Sequence, residues 1–203
     1  MATIALILFA VFAAVGFGWR SWEQHRRTGS TGFKGISGQL GSVEWLAGVG
    51  FVVALIGAVV APALQLAGVI AALPILIAWW IQLTGIVFAV AGTATMVWAQ
   101  LDMGDSWRIG VDDGETTTLV RTGLFGRVRN PVFTAMLLFG AGLVLITPNI
   151  LALIAFALLA GTIELQVRVV EEPYLLRVHG RAYRDYAATV GRFIPGVGRR
   201  IAH

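Results

Sequence analysis

Residues 45–101 carry no charged side chain over 57 consecutive positions, and this run constrains the fold more than any other feature. A soluble domain devotes about a quarter of its residues to charge, so such a run is not typical of one. A membrane-spanning helix needs about 20 apolar residues, so the run fits two spans and a turn. The dipeptides Ala61-Pro62 and Leu73-Pro74 bracket that predicted turn.

Three further runs are apolar, and Glu164 is the one charged residue within them. Residues 2–19 are uncharged up to Arg20, and residues 131–147 and 149–166 are separated by a predicted tight turn at Pro148-Asn149. A cleaved signal peptide carries positive charge ahead of its apolar core, whereas here the charge follows it. With 57% hydrophobic and 13% charged residues overall, the sequence predicts an all-α integral membrane protein with five transmembrane helices.

The basic residues predict the orientation of these helices. All 15 lysines and arginines lie within residues 20–44, within residues 102–130 or after residue 166, in numbers of four, four and seven. Cytosolic segments carry the excess of basic residues, so we expect the N-terminus outside and the C-terminus in the cytosol, in a cell membrane of prokaryotic type. Because this rule explains the positive charge, we expect membrane lipids rather than nucleic acid as partners.

The chain is expected to form a single membrane domain, residues 1–203. Residues 1–101 supply the first three helices, and residues 102–203 supply a core with the helical hairpin 131–166 and cytosolic C-terminal helices. A hairpin returns the chain to the face at which it entered, so Arg129 is predicted to lie beside the segment after residue 166. The polar groups able to do chemistry therefore meet at one face of the membrane.

Residues 171–195 mix charged, aromatic and apolar side chains at helical spacing. Leu176, His179, Tyr183, Tyr186 and Val190 are three, four or seven residues apart, so they share one face of a predicted helix. Alone, this pattern is typical of a helix lying on a membrane surface. The chain has no cysteine and the region one histidine, so we expect no metal centre.

Two ordered motifs in the second half of the chain resemble those of a known family. The first reads Leu119-Val120-Arg121-Thr122-Gly123-Leu124-Phe125 and continues with Arg129-Asn130-Pro131-Val132-Phe133; the second comprises Glu171-Glu172, Leu175, Gly180, Tyr183, Tyr186 and Val190. With the apolar hairpin between them, residues 117–195 resemble the isoprenylcysteine carboxyl methyltransferases. Their superfamily also holds phospholipid N-methyltransferases and thiol methyltransferases.

The resemblance implies S-adenosylmethionine as methyl donor, a lipophilic or prenylated acceptor entering from the bilayer, and C-terminal helices that cap the cofactor pocket. The residues it implies for cofactor binding are Thr118, Leu119, Val120, Phe125, Arg129, Asn130, Pro131, Phe133, Glu171 and Tyr183. Arg168 is the nearest counterpart of the family's acceptor-binding arginine, whose aligned position holds Val167. Arg168 and Glu171 are therefore the predicted catalytic residues, and they are spaced to pair on a helix.

Physical chemistry agrees with the function that the resemblance implies. Methyl transfer from a sulfonium depends on positioning and on exclusion of water more than on acid or base. The aromatic rings of Phe125, Phe133 and Tyr183 attract such a cation, and the Glu171 carboxylate accepts hydrogen bonds from a ribose or an amino group. The segment Asp105-Ser106-Trp107-Arg108 is expected to cap a helix or to border the pocket.

Three functions remain open on the sequence. The first is carboxyl O-methylation of an isoprenylcysteine-type substrate, and the second is methylation of a phospholipid amine, a phenol or a small thiol. The third is a non-catalytic module that binds lipid or a partner protein, kept open by the departures from the family at Phe125, Asn130, Phe133 and Val167.

Overall fold

A computed structural model describes residues 1–31, 35–36, 38–104 and 118–200, and this part of the chain is helical apart from its connections. Its α-helices are α1 (Ala2–Ala13), α2 (Arg20–Thr28), α3 (Val43–Leu66), α4 (Trp79–Met103), α5 (Pro131–Ile146), α6 (Ile150–Gln166) and α7 (Glu172–Thr189). One π-helical segment, Ala14–Trp19, joins α1 to α2, and another, Val167–Glu171, joins α6 to α7. The segment 105–108, predicted to cap a helix or border the pocket, lies outside the described residues.

Four helical stretches are long and apolar enough to cross a membrane: Ala2–Thr28, Val43–Leu66, Trp79–Met103 and Ile150–Thr189. Helix α5 is also apolar but has 16 residues, or about 24 Å at the α-helical rise. That length is short of the roughly 30 Å of hydrocarbon in a typical bilayer. The chain is therefore an integral membrane protein with four candidate spans, together with a shorter apolar helix that forms a hairpin with α6.

The connection between α3 and α4 begins later than predicted, because Pro62 lies inside α3 rather than at its end. The helix continues to Leu66, and a short 3₁₀ turn at Pro74–Leu76 precedes α4. The amide of Leu73 donates a hydrogen bond of 2.7 Å to the carbonyl of Pro148, in the α5–α6 connection. The two connections therefore lie together at one end of the helix bundle.

Helices α4 and α5 are in backbone contact along much of their length, and small residues make this possible. A Cβ atom added to Gly92 would lie 2.7 Å from the Phe139 amide nitrogen, and one added to Gly142 would lie 2.6 Å from the Gly85 carbonyl oxygen. Neither contact leaves space for a side chain. Apolar helices in a membrane gain stability from such close packing, since lipid tails are as apolar as the helices themselves.

Aromatic stacking fixes the first helix against this pair. The rings of Phe12 on α1 and Phe139 on α5 are nearly parallel, with centroids 4.0 Å apart, and both side chains are buried. Phe9 also packs on Phe139, with a centroid distance of 6.3 Å. The apolar core thus joins α1 to α5 and leaves the polar C-terminal segment at the other end of the bundle from the Leu73–Pro148 contact.

Candidate cofactor and acceptor site

A cavity of about 570 Å³ lies where the C-terminal ends of α4 and α6 meet the N-terminal ends of α3 and α5. The volume falls in the range of about 300–1,000 Å³ that is typical of small-molecule sites. Its walls are formed by Phe17, Ser21, Gly35, Ile36, Gly48, Phe51, Val52, Leu55, Met96, Gln100, Met103, Thr118, Leu119, Val120, Phe125, Arg129, Asn130, Pro131, Val132, Phe133, Met136, Ile163, Gln166, Glu171, Leu175 and Tyr186.

The cavity brings together most of the residues that the sequence predicted for the site. Every predicted cofactor-binding residue except Tyr183 lines it, including Glu171, which is far from the first motif in sequence. Tyr183 is 1% exposed and packs against Tyr186, in a T-shaped pair with ring centroids 6.2 Å apart. Tyr183 therefore supports the wall from behind, whereas Tyr186 belongs to the wall itself.

The first motif is held in place by an acidic residue that precedes it. The carboxylate of Asp102, at the end of α4, accepts a hydrogen bond of 2.9 Å from the Leu124 amide. Gly123 has a φ angle of +59°, and a Cβ atom there would collide with the Asp102 carboxylate, so only glycine fits. From the other side, the Tyr186 hydroxyl donates a bond of 2.6 Å to the Phe125 carbonyl. Phe125 is thus fixed at the cavity from two directions.

The C-terminal tail leaves the helix earlier than predicted and runs beside the first motif. Helix α7 ends at Thr189, and Val128 then forms a parallel β-bridge with Gly191. The Arg129 amide donates to the Gly191 carbonyl at 2.8 Å, and the Asn130 amide donates to the Arg192 carbonyl at 3.1 Å. The expectation that the helix continues to residue 195 is wrong, because the chain after Thr189 is extended. Its carbonyls accept hydrogen bonds from the two backbone amides that precede α5.

Helix α7 is also kinked rather than continuous. Gly180 has φ +50° and ψ −120°, which is outside the helical region and is accessible mainly to glycine. The predicted apolar face nevertheless forms: Tyr183 and Tyr186 are buried with Ala187, and Leu176, Val190 and Leu119 pack against them. His179, also predicted for this face, is not part of that cluster. The C-terminal helix therefore packs directly on the first motif.

An ion-pair network with a buried centre, here called the Glu172 cluster, comprises Arg129, Glu172, Arg192 and Arg200. One oxygen of Glu172 accepts bonds of 2.8 Å from both Arg129 and Arg192, and the other lies 3.4 Å from the Arg200 Nε. The side chains of Arg129 and Glu172 are each 1% exposed. Charge-assisted bonds of this kind are strong and directional. The cluster ties the first motif, the start of α7 and the tail to one another.

Arg129 also donates hydrogen bonds to backbone carbonyls at the end of α7 and in the tail. Its Nη1 donates to the carbonyls of Ala187 and Val190, and its Nη2 donates to the carbonyl of Gly198 as well as to Glu172. At the tail, the hydrogen bond to Glu172 raises the pKa of the Arg192 guanidinium above its ordinary value, so this group is charged at any working pH. Arg129 lines the cavity, but both its terminal nitrogens are engaged by the protein.

The paired glutamates therefore have different surroundings. Glu171 lines the cavity and is half-buried, whereas Glu172 is directed into the ion-pair network. Sequence reasoning missed the roles of Glu172 and Arg192, and the only signal for either was the doubled glutamate. The π-helical segment Val167–Glu171 changes the angular phase of the helix, so an α-helical wheel does not show which glutamate faces the cavity.

Arg168, the predicted acceptor-binding residue, does not line the cavity. Its side chain is 59% exposed and forms an ion pair with Glu164, one helical turn earlier. This pair replaces the predicted pairing with Glu171. Val167, which occupies the position of the family's arginine, is fully buried. The role of Arg168 stays a prediction that its position does not favour.

The residues of the cavity fit the cofactor that the resemblance implies. The Glu171 carboxylate and the aromatic rings of Phe125 and Phe133 line the same space. Carboxylates accept hydrogen bonds from hydroxyl and ammonium groups, and aromatic faces attract a sulfonium cation. Asn130 uses its Nδ2 to donate to the Arg192 carbonyl at 3.2 Å, which leaves its side-chain oxygen as an acceptor at the cavity.

Comparisons with known proteins agree with these observations. The model of the phospholipid methyltransferase family matches residues 80–182. Protein-S-isoprenylcysteine O-methyltransferase B from Arabidopsis thaliana is 28% identical over 121 residues, which cover 59% of this chain and 61% of that protein. The chain thus spans less than two-thirds of the length of this curated relative.

The family match begins in α4, includes the α5–α6 hairpin and ends within α7. It therefore covers half of the chain, including the first motif and the start of the second, and S-adenosylmethionine is the methyl donor of this family's enzymes. On this evidence the chain belongs to the phospholipid methyltransferase family of membrane methyltransferases.

Proposed function

We propose that this protein transfers a methyl group from S-adenosylmethionine to a lipophilic acceptor at one face of the membrane. The observation that carries the proposal is the single cavity in which both motifs meet an apolar wall. Phe125, Asn130 and Glu171 line this cavity together with the apolar side chains of Phe51 and Leu55 from α3. A site that must join a polar cofactor to a lipid-like substrate needs these two kinds of surface.

The cofactor occupies the side formed by the motifs. Glu171 holds its ribose or amino group, the backbone of residues 118–120 contacts it, and the rings of Phe125 and Phe133 face its positive charge. When bound, the cofactor supplies an electrophilic methyl group. The protein itself positions the acceptor in line with that group and excludes water, with α7 as the cap.

The acceptor's tail occupies the side formed by α3 and α4. Val52, Leu55 and Met96 give this side an apolar lining, and Met136 of α5 adds to it. Methionine adapts its shape easily, which suits a flexible chain. An acceptor with a long hydrocarbon tail therefore gains affinity from burial, at about 0.8 kcal/mol per methylene.

We further propose that the chain forms one membrane domain with five spans, the N-terminus outside and the cavity facing the cytosol. The basic residues support this orientation, since none lies in the two connections that meet at Leu73 and Pro148. Helix α5 completes the crossing as the short partner of α6, and a short helix can be accommodated by local thinning of the bilayer.

Two acceptor classes are candidates. Carboxyl O-methylation of an isoprenylcysteine-type substrate is supported by the relative from Arabidopsis thaliana, whose name describes an isoprenylcysteine O-methyltransferase. The second class, an amine, phenol or small thiol, is supported by the arginines. Arg168 lies outside the cavity lining, and both terminal nitrogens of Arg129 are engaged, so neither offers a free bidentate clamp for a carboxylate.

Calorimetric titration of S-adenosylhomocysteine into the purified full chain in lipid nanodiscs tests the cofactor site. We expect binding that Glu171→Ala weakens about tenfold, or about 1.4 kcal/mol. The matched control is Asp185→Ala, which removes an exposed carboxylate from α7 and should leave the affinity unchanged. Absence of binding to the unmodified chain would overturn the proposal.

Methyl transfer from radiolabelled S-adenosylmethionine to a panel of acceptors with one common prenyl tail separates the classes. Turnover of a prenylcysteine that Arg168→Ala abolishes would support the carboxylate class and the predicted role of Arg168. Turnover of the amine or phenol alone would support the second class. Cofactor binding without transfer to the panel or to extracted lipids would favour a non-catalytic module.

A further inference from the structure

Gln100 is a buried amide in the wall of the cavity. It lies one turn before the end of α4, and its side chain is 1% exposed. Its Nε2 donates a bond of 2.8 Å to the carbonyl of Gly16. Gly16 belongs to the π-helical segment Ala14–Trp19, in which the regular α-helical bonding is interrupted. This hydrogen bond satisfies the side-chain nitrogen of Gln100 and fixes the orientation of the amide.

The side-chain oxygen of the same amide has no comparable hydrogen bond. The Oε1 of Gln100 is buried, and it has no hydrogen-bond partner among the described residues. The great majority of buried polar atoms in proteins are paired, and an unpaired acceptor weakens the fold. Turning the amide over does not help, because the Gly16 carbonyl needs a donor. The Oε1 is therefore suited to receive a donor that the described protein does not supply.

The position of Gln100 indicates that this hydrogen-bond donor belongs to the methyl acceptor rather than to the cofactor. The lining on the N-terminal half of the chain comes from helices α2, α3 and α4, the segment Ala14–Trp19 and residues 35–36, and it includes Phe17, Ser21, Met96 and Met103. No side chain that these helices contribute to the lining is charged. The motif residues that fit the cofactor come instead from the second half of the chain. A substrate head group placed here meets one hydroxyl and one amide in an apolar setting.

We infer that the Gln100 Oε1 accepts a hydrogen bond from the head group of the methyl acceptor and selects a head group that carries an N–H or O–H donor. This inference rests on the proposed function. A carboxylate carries only acceptors, so it would face the amide oxygen without a bond and lose its hydration. Gln100 is thus a specificity-determining residue for the acceptor.

The reaction that follows is balanced within the cavity. The acceptor nitrogen or oxygen gives its lone pair to the methyl carbon, and the carbon–sulfur bond breaks with its electron pair left on sulfur. The proton that the acceptor loses is released to water. Gln100 takes no part in proton transfer, because an amide does not titrate.

Binding of unreactive probe pairs tests the inference. A long-chain alkylphenol is compared with its methyl ether, and a primary alkylammonium with its trimethylammonium counterpart. Each is titrated into the full chain in nanodiscs saturated with S-adenosylhomocysteine. In at least one pair we expect the donor-bearing probe to bind about fivefold more tightly, the scale of one hydrogen bond. In Gln100→Met the preference should fall below twofold, with cofactor-product affinity unchanged.

The matched control is Gln82→Met, which makes the same replacement on α4 at a half-buried position away from the cavity lining. It should keep the preference. A preference that survives in Gln100→Met overturns the inference and leaves the proposed function standing. If Gln100→Met does not fold, equal affinities within both probe pairs on the unmodified chain overturn the inference. Absence of cofactor-product binding to that chain overturns the proposed function, and the inference falls with it.

Discussion

The two groups of charged side chains near the start of α7 differ sharply in their surroundings. In the Glu172 cluster, the paired side chains of Arg129 and Glu172 are each 1% exposed. In the surface pair formed by Glu164 and Arg168, the side chains are 37% and 59% exposed. A bond of 3.3 Å from Arg192 to Glu164 joins the two groups. They are thus neighbours in space, but only the Glu172 cluster has a centre, the pair of Arg129 and Glu172, that is shielded from water.

The difference shows that charge at this face of the protein serves two purposes. Removing one partner of a buried pair leaves an uncompensated charge, whereas an exposed pair is screened and contributes about 0–1 kcal/mol. The Glu172 cluster therefore holds the tail against the first motif, and the surface pair adds little to the fold. Glu171, which precedes Glu172 in the sequence, lines the cavity, where a carboxylate can bind a ligand.

Replacement of Glu172 should have the largest effect. Glu172→Ala leaves the buried Arg129 and the partly buried Arg192 without their carboxylate, and we expect a loss of about 3–5 kcal/mol of stability. The thermal unfolding midpoint in detergent should fall, and limited proteolysis should release the tail after Thr189. Glu164→Ala is the matched control, and it should neither lower the unfolding midpoint nor expose the tail to proteolysis. Equal effects of the two replacements would show that burial does not distinguish the two groups.

Replacement of Arg129 by lysine should come next. Lysine keeps the charge but lacks the planar fork that reaches Glu172 and the carbonyls of Ala187 and Val190 together. We expect Arg129→Lys to cost about 1–3 kcal/mol of stability, since buried acceptors lose their donors. The exposed Arg127→Lys provides the control in the same unfolding assay. An unchanged midpoint for Arg129→Lys would mean that charge alone, without geometry, holds the tail.

Sequence reasoning predicted the parts of this comparison that depend on polarity. The uncharged runs mark the apolar helices, and the hairpin of α5 and α6 implies that Arg129 meets the segment after residue 166, as its contact with Glu172 confirms. Hydrophobic length and hairpin geometry are sufficient for both conclusions, because each depends on composition rather than on detailed contacts.

Other features depend on backbone contacts that residue types do not reveal. The tail is extended because its carbonyls satisfy the amides of Arg129 and Asn130, and no periodicity in the sequence indicates such a bond. The π-helical segment before α7 decides that Glu172 rather than Glu171 is buried. The importance of Gln100 appears only when its burial and its single hydrogen bond are both known.

Glu171 sharpens the comparison, because we expect its replacement to change binding and not stability. Glu171→Ala should weaken the binding of S-adenosylhomocysteine by about 1.4 kcal/mol. The unfolding midpoint in the absence of ligand should stay close to that of the unmodified chain. Measuring both quantities on Glu171→Ala and Glu172→Ala separates a ligand-binding carboxylate from a structural one. A large loss of stability in Glu171→Ala would show that both glutamates support the fold.

Replacement of Arg168 should have the smallest effect on the fold. Its bond to Glu164 is solvent-exposed, so Arg168→Ala should change stability by no more than about 0.5–1 kcal/mol, and added salt should reduce that difference further. Cofactor-product binding should not change, because the side chain does not line the cavity. Titrations at low and high salt check both statements. A tenfold loss of cofactor-product affinity in Arg168→Ala would instead place this arginine among the ligand-binding residues and remove the distinction between the two charge groups.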